Sequence, residues 1–242
     1  MLMVPPFYRF APNVAALWAN ANTDPYFASV SLLAGNESGA NGGTTFDDQS
    51  VNNLTLTGVG NTVWSNAAAP TGDTTTILLD GNGDSLDADA NAVLNMGTGD
   101  MTWEMMVRFA SIPVGYNIYL FDYVTGVNGN QFRIQVTGGL IYLVNVGTTI
   151  MSPAWVPSID TWYYVAFNRS GTTFDLRVDG TSLGTASNSG SCGSSTLKLR
   201  IGRNGGTGNP TLGINGYFAN FRITKGVARD ISVVPSLPMP SA

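Results

Sequence analysis

Apolar and polar residues alternate most clearly between Thr161 and Gly184. Phe174, Leu176 and Val178 fall on one side of a period-two repeat, and Thr173, Asp175 and Arg177 fall on the other. That is the pattern of a strand with one wet face. Ser170-Gly171 and Asp179-Gly180 bracket this strand and supply the glycines that tight hairpins need, so the stretch predicts a three-stranded meander. In its first strand Trp162, Tyr163, Tyr164, Val165 and Phe167 leave neither face polar. Both faces must therefore be covered, and a second sheet is the simplest cover.

The same reading finds shorter strands elsewhere. Met101, Trp103, Met105, Val107 and Phe109 alternate with Thr102, Glu104, Met106 and Arg108. Further candidates are Asp24 to Leu33, with Tyr26, Ala28 and Val30 on one face, then Leu54 to Thr57, Val63-Trp64, Thr75 to Asp80 and Asn117 to Val124. Gln131 to Thr137 and Leu140 to Val146 are joined by Gly138-Gly139 as a two-residue hairpin. Thr196 to Gly202 turns Leu197, Leu199 and Ile201 inward, and Gly216 to Lys225 closes the set. Many short strands at regular spacing predict an all-β, two-sheet antiparallel jelly-roll sandwich. Trp103, Val107, Phe174, Leu176, Val178, Leu199 and Ile201 are expected inside it.

Composition supports this. Two Glu and two Lys against 29 Gly deplete the best helix formers. At 242 residues the chain suits one sandwich at residues 26–230, preceded by an arm at 1–25 and followed by a Pro-rich tail at 231–242. Ala19-Asn20-Ala21 resembles a cleavage site, but Pro5, Pro6, Arg9 and Pro12 break up any apolar run ahead of it, so the segment reads as a retained arm. Its Phe7, Tyr8, Phe10 and Trp18 are expected to dock on a partner subunit or another protein.

Charge narrows the function. The net charge is −5, only 11% of residues are charged, and no run of Lys or Arg occurs. The phosphate-neutralising patch of a nucleic-acid binder is missing. No apolar run approaches the ~20 residues of a membrane-spanning helix, so no membrane insertion is expected. There is no histidine and Cys192 is the only cysteine. An intrachain disulfide, a zinc site built on Cys and His, and a Ser-His-Asp or Cys-His nucleophile are all excluded.

Three constellations remain. Asp80-Gly81-Asn82-Gly83-Asp84 places oxygen ligands at positions 1, 3 and 5 of a calcium-type loop, but Ser85 stands at position 6 and Asn91 at position 12. The loop reads as a turn, or as a partial hard-cation site with Asp47, Asp48, Asp84 and Asp87 as the candidate ligands. Calcium is not expected to be required. Glycoside hydrolysis needs two carboxyls about 5 to 9.5 Å apart. Glu104 has Met106 and Arg108 where a second acid would follow, and Asp122 lies on a separate strand, so a non-enzymatic role is expected. Tyr116, Tyr119, Tyr123 and Trp155 are candidates for stacking on sugar rings, with core packing or an oligomer contact as the alternative.

Four local patterns resemble the laminin-G-like, concanavalin-A-like jelly roll found in bacteriophage structural proteins. They are Phe46-Asp47-Asp48-Gln49-Ser50, Leu79 to Leu86, Gly99-Asp100-Met101-Thr102-Trp103-Glu104, and Gly216 to Arg229 with its Phe-Arg-Ile-Thr-Lys-Gly-Val-Ala-Arg ending. Trp162 to Val165 and Val178-Asp179-Gly180 fit the same family. The resemblance implies a virion structural protein at the virion surface, a capsid decoration or tail-associated component joined to other virion proteins through residues 1–25, and a homo-oligomer. Its alternative is a module that binds host surface polysaccharide. Phe218-Ala219-Asn220 departs from the family by lacking acids near the place where some relatives hold calcium.

Overall fold

The structure, a computed structural model, describes residues 23–124, 132–205 and 213–240. Most of the arm expected at 1–25, including its four aromatics, lies outside the described residues, as does Gln131. The first eight strands are β1 (Val30–Ala34), β2 (Leu56–Val59), β3 (Val63–Ser65), β4 (Thr76–Asp80), β5 (Ser85–Ala88), β6 (Asn95–Gly97), β7 (Met101–Ser111) and β8 (Ile118–Tyr123). There follow β9 (Arg133–Thr137), β10 (Leu140–Asn145), β11 (Thr148–Met151), β12 (Trp162–Ser170), β13 (Thr173–Val178) and β14 (Thr181–Ser187). The last are β15 (Cys192–Gly193), β16 (Leu199–Ile201) and β17 (Asn215–Lys225).

Two antiparallel sheets form the sandwich. The first runs β14-β13-β12-β7-β17-β4-β3, with β1 also on β17, and the second runs β11-β10-β9-β8-β16-β5-β2. The expected meander is β12-β13-β14, with Phe167 opposite Leu176 and Val165 opposite Val178. Asp179 and Gly180 both adopt positive φ, 48° and 78°, which is the turn that the twist of a hairpin prefers. β17 serves two neighbours along one edge. Asn215 to Phe218 pair with β4, Phe221 to Thr224 pair with β1, and a bulge with Asn220 at φ 53° separates them.

Trp103, Val107, Phe174, Leu176, Val178, Leu199 and Ile201 are buried as expected, whereas Leu197 is only half-buried against the core. Trp103 is the centre, stacked on Phe121 of the opposite sheet at 4.1 Å between ring centroids, with Phe132 and Phe221 edge-on. Such offset and edge contacts add to the large apolar area these rings bury.

Two expectations change. Asp24 to Ser29 is not strand: Phe27 N–H bonds back to the Asp24 carbonyl, the Asp24 carboxylate accepts from Tyr26 N–H, and Phe27–Ser29 is a 3₁₀ turn. Local side-chain bonding of this kind competes with strand geometry. The second face of β12 is covered by both ends of the described chain instead of a second sheet. Tyr164 and Ala166 pack there with Val30, Leu33 and Met106, and with Ile231 and Met239 of the C-terminal segment. Asn220 and Asn36 fasten that segment by accepting from Met239 N–H at 2.6 Å and donating to its carbonyl at 3.2 Å.

Candidate binding face and buried ion lock

Glu104, on β7, points to the outer face of the first sheet beneath the two chain ends. Its carboxylate accepts from Arg222 Nε at 2.8 Å, Arg222 Nη2 at 3.0 Å and the Tyr164 hydroxyl at 2.5 Å. Asp24 accepts from Arg222 Nη1, and from both Nη1 and Nη2 of Arg229 at 2.8 and 2.7 Å. The four charged side chains are almost fully buried. Burial opposes ionisation of Asp24, but the arginines and the Tyr26 N–H more than offset it and hold its carboxyl low. The Tyr164 hydroxyl is pushed well up by burial and by the Glu104 charge beside it. Arg222 and Arg229 thus fasten Asp24 at one end of the described chain across the central strands. The Phe-Arg-Ile-Thr-Lys-Gly-Val-Ala-Arg pattern is a structural lock.

The outer face of the second sheet is organised differently. Leu199 and Ile201, Leu86, Phe121 and Tyr123 all enter the core, so the intervening Arg200, Asp87 and Asp122 face away from it. Arg200 forks onto Asp87 at 2.9 and 2.8 Å. Asp122 is fully buried, accepts from Gly205 N–H at 3.0 Å, and has its carboxyl pushed up to about 6 by burial, which nearby Arg133 and Arg200 only partly offset. Further along, Tyr119, Gln135 and Tyr142 lie directly across β8, β9 and β10 in one row. The Arg133 guanidinium sits 5.9 Å from the Tyr119 ring centroid and donates from Nε to Gln135 Oε1 at 2.9 Å. Asn117 approaches the Tyr119 hydroxyl at 3.5 Å. Tyr119 and Gln135 are nearly buried, at 8% each, so Tyr142 is the ring of this row that offers a face to a ligand, with Arg133 half-buried beside it.

The sequence candidates separate accordingly. Tyr123 is 0% exposed and donates its hydroxyl to the Leu94 carbonyl at 2.7 Å, so it belongs to the core. Trp155 is 9% exposed and packs against Phe109 and Tyr163, which leaves it no free ring face for a sugar. Tyr116 is 53% exposed on the β7–β8 loop. Tyr119 alone joins the row, at 8% exposure. Gln135, Tyr142 and Arg133 were missed, although Gln135 between Ile134 and Val136, and Tyr142 between Ile141 and Leu143, carry the alternation that marks an outward side chain.

The four aspartates do not fit a calcium ion. Asp48 accepts from the N–H groups of Leu33, Ser50 and Leu54, and so ties a loop to β1. Asp84 accepts from Asn61 and Asp80 N–H and is raised by burial, Asp87 is held by Arg200 and Ser85, and Asp47 lies in an isolated bridge with Thr55. The carboxylate oxygens of Asp48, Asp84 and Asp87 already serve the protein, and among the described residues no group of three or more His, Cys, Asp or Glu is gathered to hold a metal. Glu104 and Asp122 face outward from opposite sheets, so they do not form the carboxyl pair of a glycosidase.

Comparison with known families settles the fold's lineage. The sequence profile of the concanavalin A-like lectin/glucanases superfamily matches residues 80–230. The chain belongs to that superfamily. Among solved members of the fold, the binding domain of Paraclostridial Mosquitocidal Protein 1 superposes with a TM-score of 0.65 at 15% identity, over 86% of this chain and 51% of that one. The binding domain of botulinum neurotoxin serotype C1 gives 0.60 at 13%, over 85% and 50%. This concanavalin A-like chain thus spans about half of those toxin chains. Domain 4 of AbnA, an extracellular arabinanase from Geobacillus stearothermophilus solved with arabinotriose, gives 0.60 at 12% identity, over 85% of this chain and 97% of that domain. No curated protein matches in sequence.

Proposed function

We propose that the chain is a non-catalytic saccharide-binding jelly roll carried on the surface of a bacteriophage virion, where it recognises host polysaccharide. The observation that carries the binding half is the Tyr119–Gln135–Tyr142 row with Arg133 beside it on the second sheet. The Tyr142 ring would supply apolar contact to the face of a sugar, with the polar groups of the row at its rim. The domain solved with arabinotriose, nearly all of which this chain covers, supports a saccharide ligand.

The virion half rests on the resemblance of Gly216 to Arg229 to phage surface domains and on the polarity of the sandwich. Both ends of the described chain lie on the outer face of the first sheet, so attachment there leaves the second sheet facing outward. A glycan array that includes bacterial surface polysaccharides tests the binding. A hit that Tyr142→Ala removes supports it. Silence across the array, with the protein nonetheless labelled on intact particles, would reduce the function to a structural one.

A further inference from the structure

The C-terminal segment from Ile231 to Pro240 lies on the outer face of the first sheet, with Ile231 and Met239 buried among Val30, Leu33, Met106, Tyr164 and Ala166. One small cluster holds its far end. Asn220, at the bulge of β17, accepts from Met239 N–H at 2.6 Å and donates from Nδ2 to Asp73 Oδ2, also at 2.6 Å. Asp73 closes a turn by donating its N–H to the Pro70 carbonyl at 3.0 Å. Within that turn Gly72 has φ 107°, and a Cβ there would collide with the Leu237 carbonyl oxygen. The turn, the bulge and the segment therefore meet in direct contact, and a single amide links the Asp73 carboxyl to Met239.

We propose that residues 231–240 are a strap that ionisation of Asp73 loosens, closed in acid and opening toward neutral pH. A protonated carboxyl still offers its carbonyl oxygen to Asn220, whereas an ionised one beneath the strap has one neutral donor and no cation. The charged groups around it are engaged elsewhere. Arg222 on β17 is held by Glu104 and Asp24, and Arg108 on β7 by Asp160. Glu37, on the loop that Ser38 joins to Thr74, accepts from Asp47 N–H, and Asp230 ahead of the strap is bonded to Ser232. The strap itself carries no charged residue. Burial pushes the Asp73 carboxyl up to about 6, which the Asn220 bond only partly opposes. When the strap lifts, water reaches the carboxyl and returns it toward 3.8. The closed form thus holds the proton more tightly, so opening is insensitive to pH below 3.8, rises up to about tenfold per pH unit toward 6, and levels off above that.

Peroxide oxidation of Met239 in the full-length chain, read by peptide mass spectrometry, tests the proposal. A thioether has no proton to lose in this range, so its rate reports access to the side chain. Met239 should oxidise at least about tenfold faster at pH 7 than at pH 4, while the core residues Met101 and Met105 stay protected. Asp73→Asn keeps an acceptor for Asn220 without a charge to gain, and should hold Met239 at its slow rate throughout. Equal Met239 rates at the two pH values in the parent would overturn the proposal. So would the same rise in Asp73→Asn, which would assign the titration to another group, or a parallel rise at Met101 and Met105, which would mean that the whole sandwich opens.

Discussion

Arg222 clasps Glu104 at two points, Nε to Oε2 at 2.8 Å and Nη2 to Oε1 at 3.0 Å, in the middle of the first sheet's outer face. Geometry of this kind is the strong form of a charged hydrogen bond. Removing one partner leaves the other charge buried and unpaired. Glu104→Ala is expected to cost about 3 to 5 kcal/mol in denaturant unfolding. A cost under about 1 kcal/mol would mean that the lock is solvated and does not hold the face together.

Leu176 tests the register of the sandwich. It is fully buried opposite Phe167, so Leu176→Ala should lower stability by about 2 to 5 kcal/mol. Thr173→Ala, on the exposed side of the same strand, should change it by no more than about 0.5 kcal/mol. Equal costs at the two positions would contradict the assigned faces.

Asp122 predicts a pH dependence. Its folded carboxyl titrates at about 6 against an ordinary value of 3.8, so between these values the folded form holds more protons than the unfolded one. Its contribution to stability is therefore fully present below 3.8 and is lost as pH rises through about 6, a total on the order of 3 kcal/mol. Asp122→Asn should melt higher than the parent at pH 7, and the two curves should converge toward pH 4. Asp73, also raised to about 6, titrates in the same window but is common to both proteins. A variant that melts lower at pH 7 would show that the ionised carboxylate is net stabilising.

The parts of the fold that were legible in the sequence are those encoded locally. Gly171 and Asp179-Gly180 set the turns of the β12-β14 meander, and alternation at Phe174, Leu176 and Val178 set its faces. The lock was not legible, because Arg222 lies 118 residues from Glu104 and Arg229 lies 205 from Asp24. Short strands such as β5 and β15 carry too few residues for a period to register. Tyr123 was misplaced by its nearness to a turn, although its spacing from Phe121 already put both on one face. The row on the second sheet needed strand pairing to assemble, since Tyr119, Gln135 and Tyr142 are adjacent only through register.

Chelation offers a further check. With Asp48, Asp84 and Asp87 already bonded within the protein, excess chelator is expected to leave the melting temperature unchanged. A cation bound only to the folded form at a hundredfold excess over its Kd would stabilise it by about 2.7 kcal/mol. A drop of several degrees on chelation would reveal a site these carboxylates do not make.

Saccharide binding by the second sheet is the central claim, and calorimetric titration of the parent and Tyr142→Ala with the best array ligand tests it most directly. The row predicts that the parent binds and that the variant, with its fold intact by circular dichroism, binds at least about tenfold more weakly, a loss of about 1.4 kcal/mol. Unchanged affinity in the variant would contradict the claim.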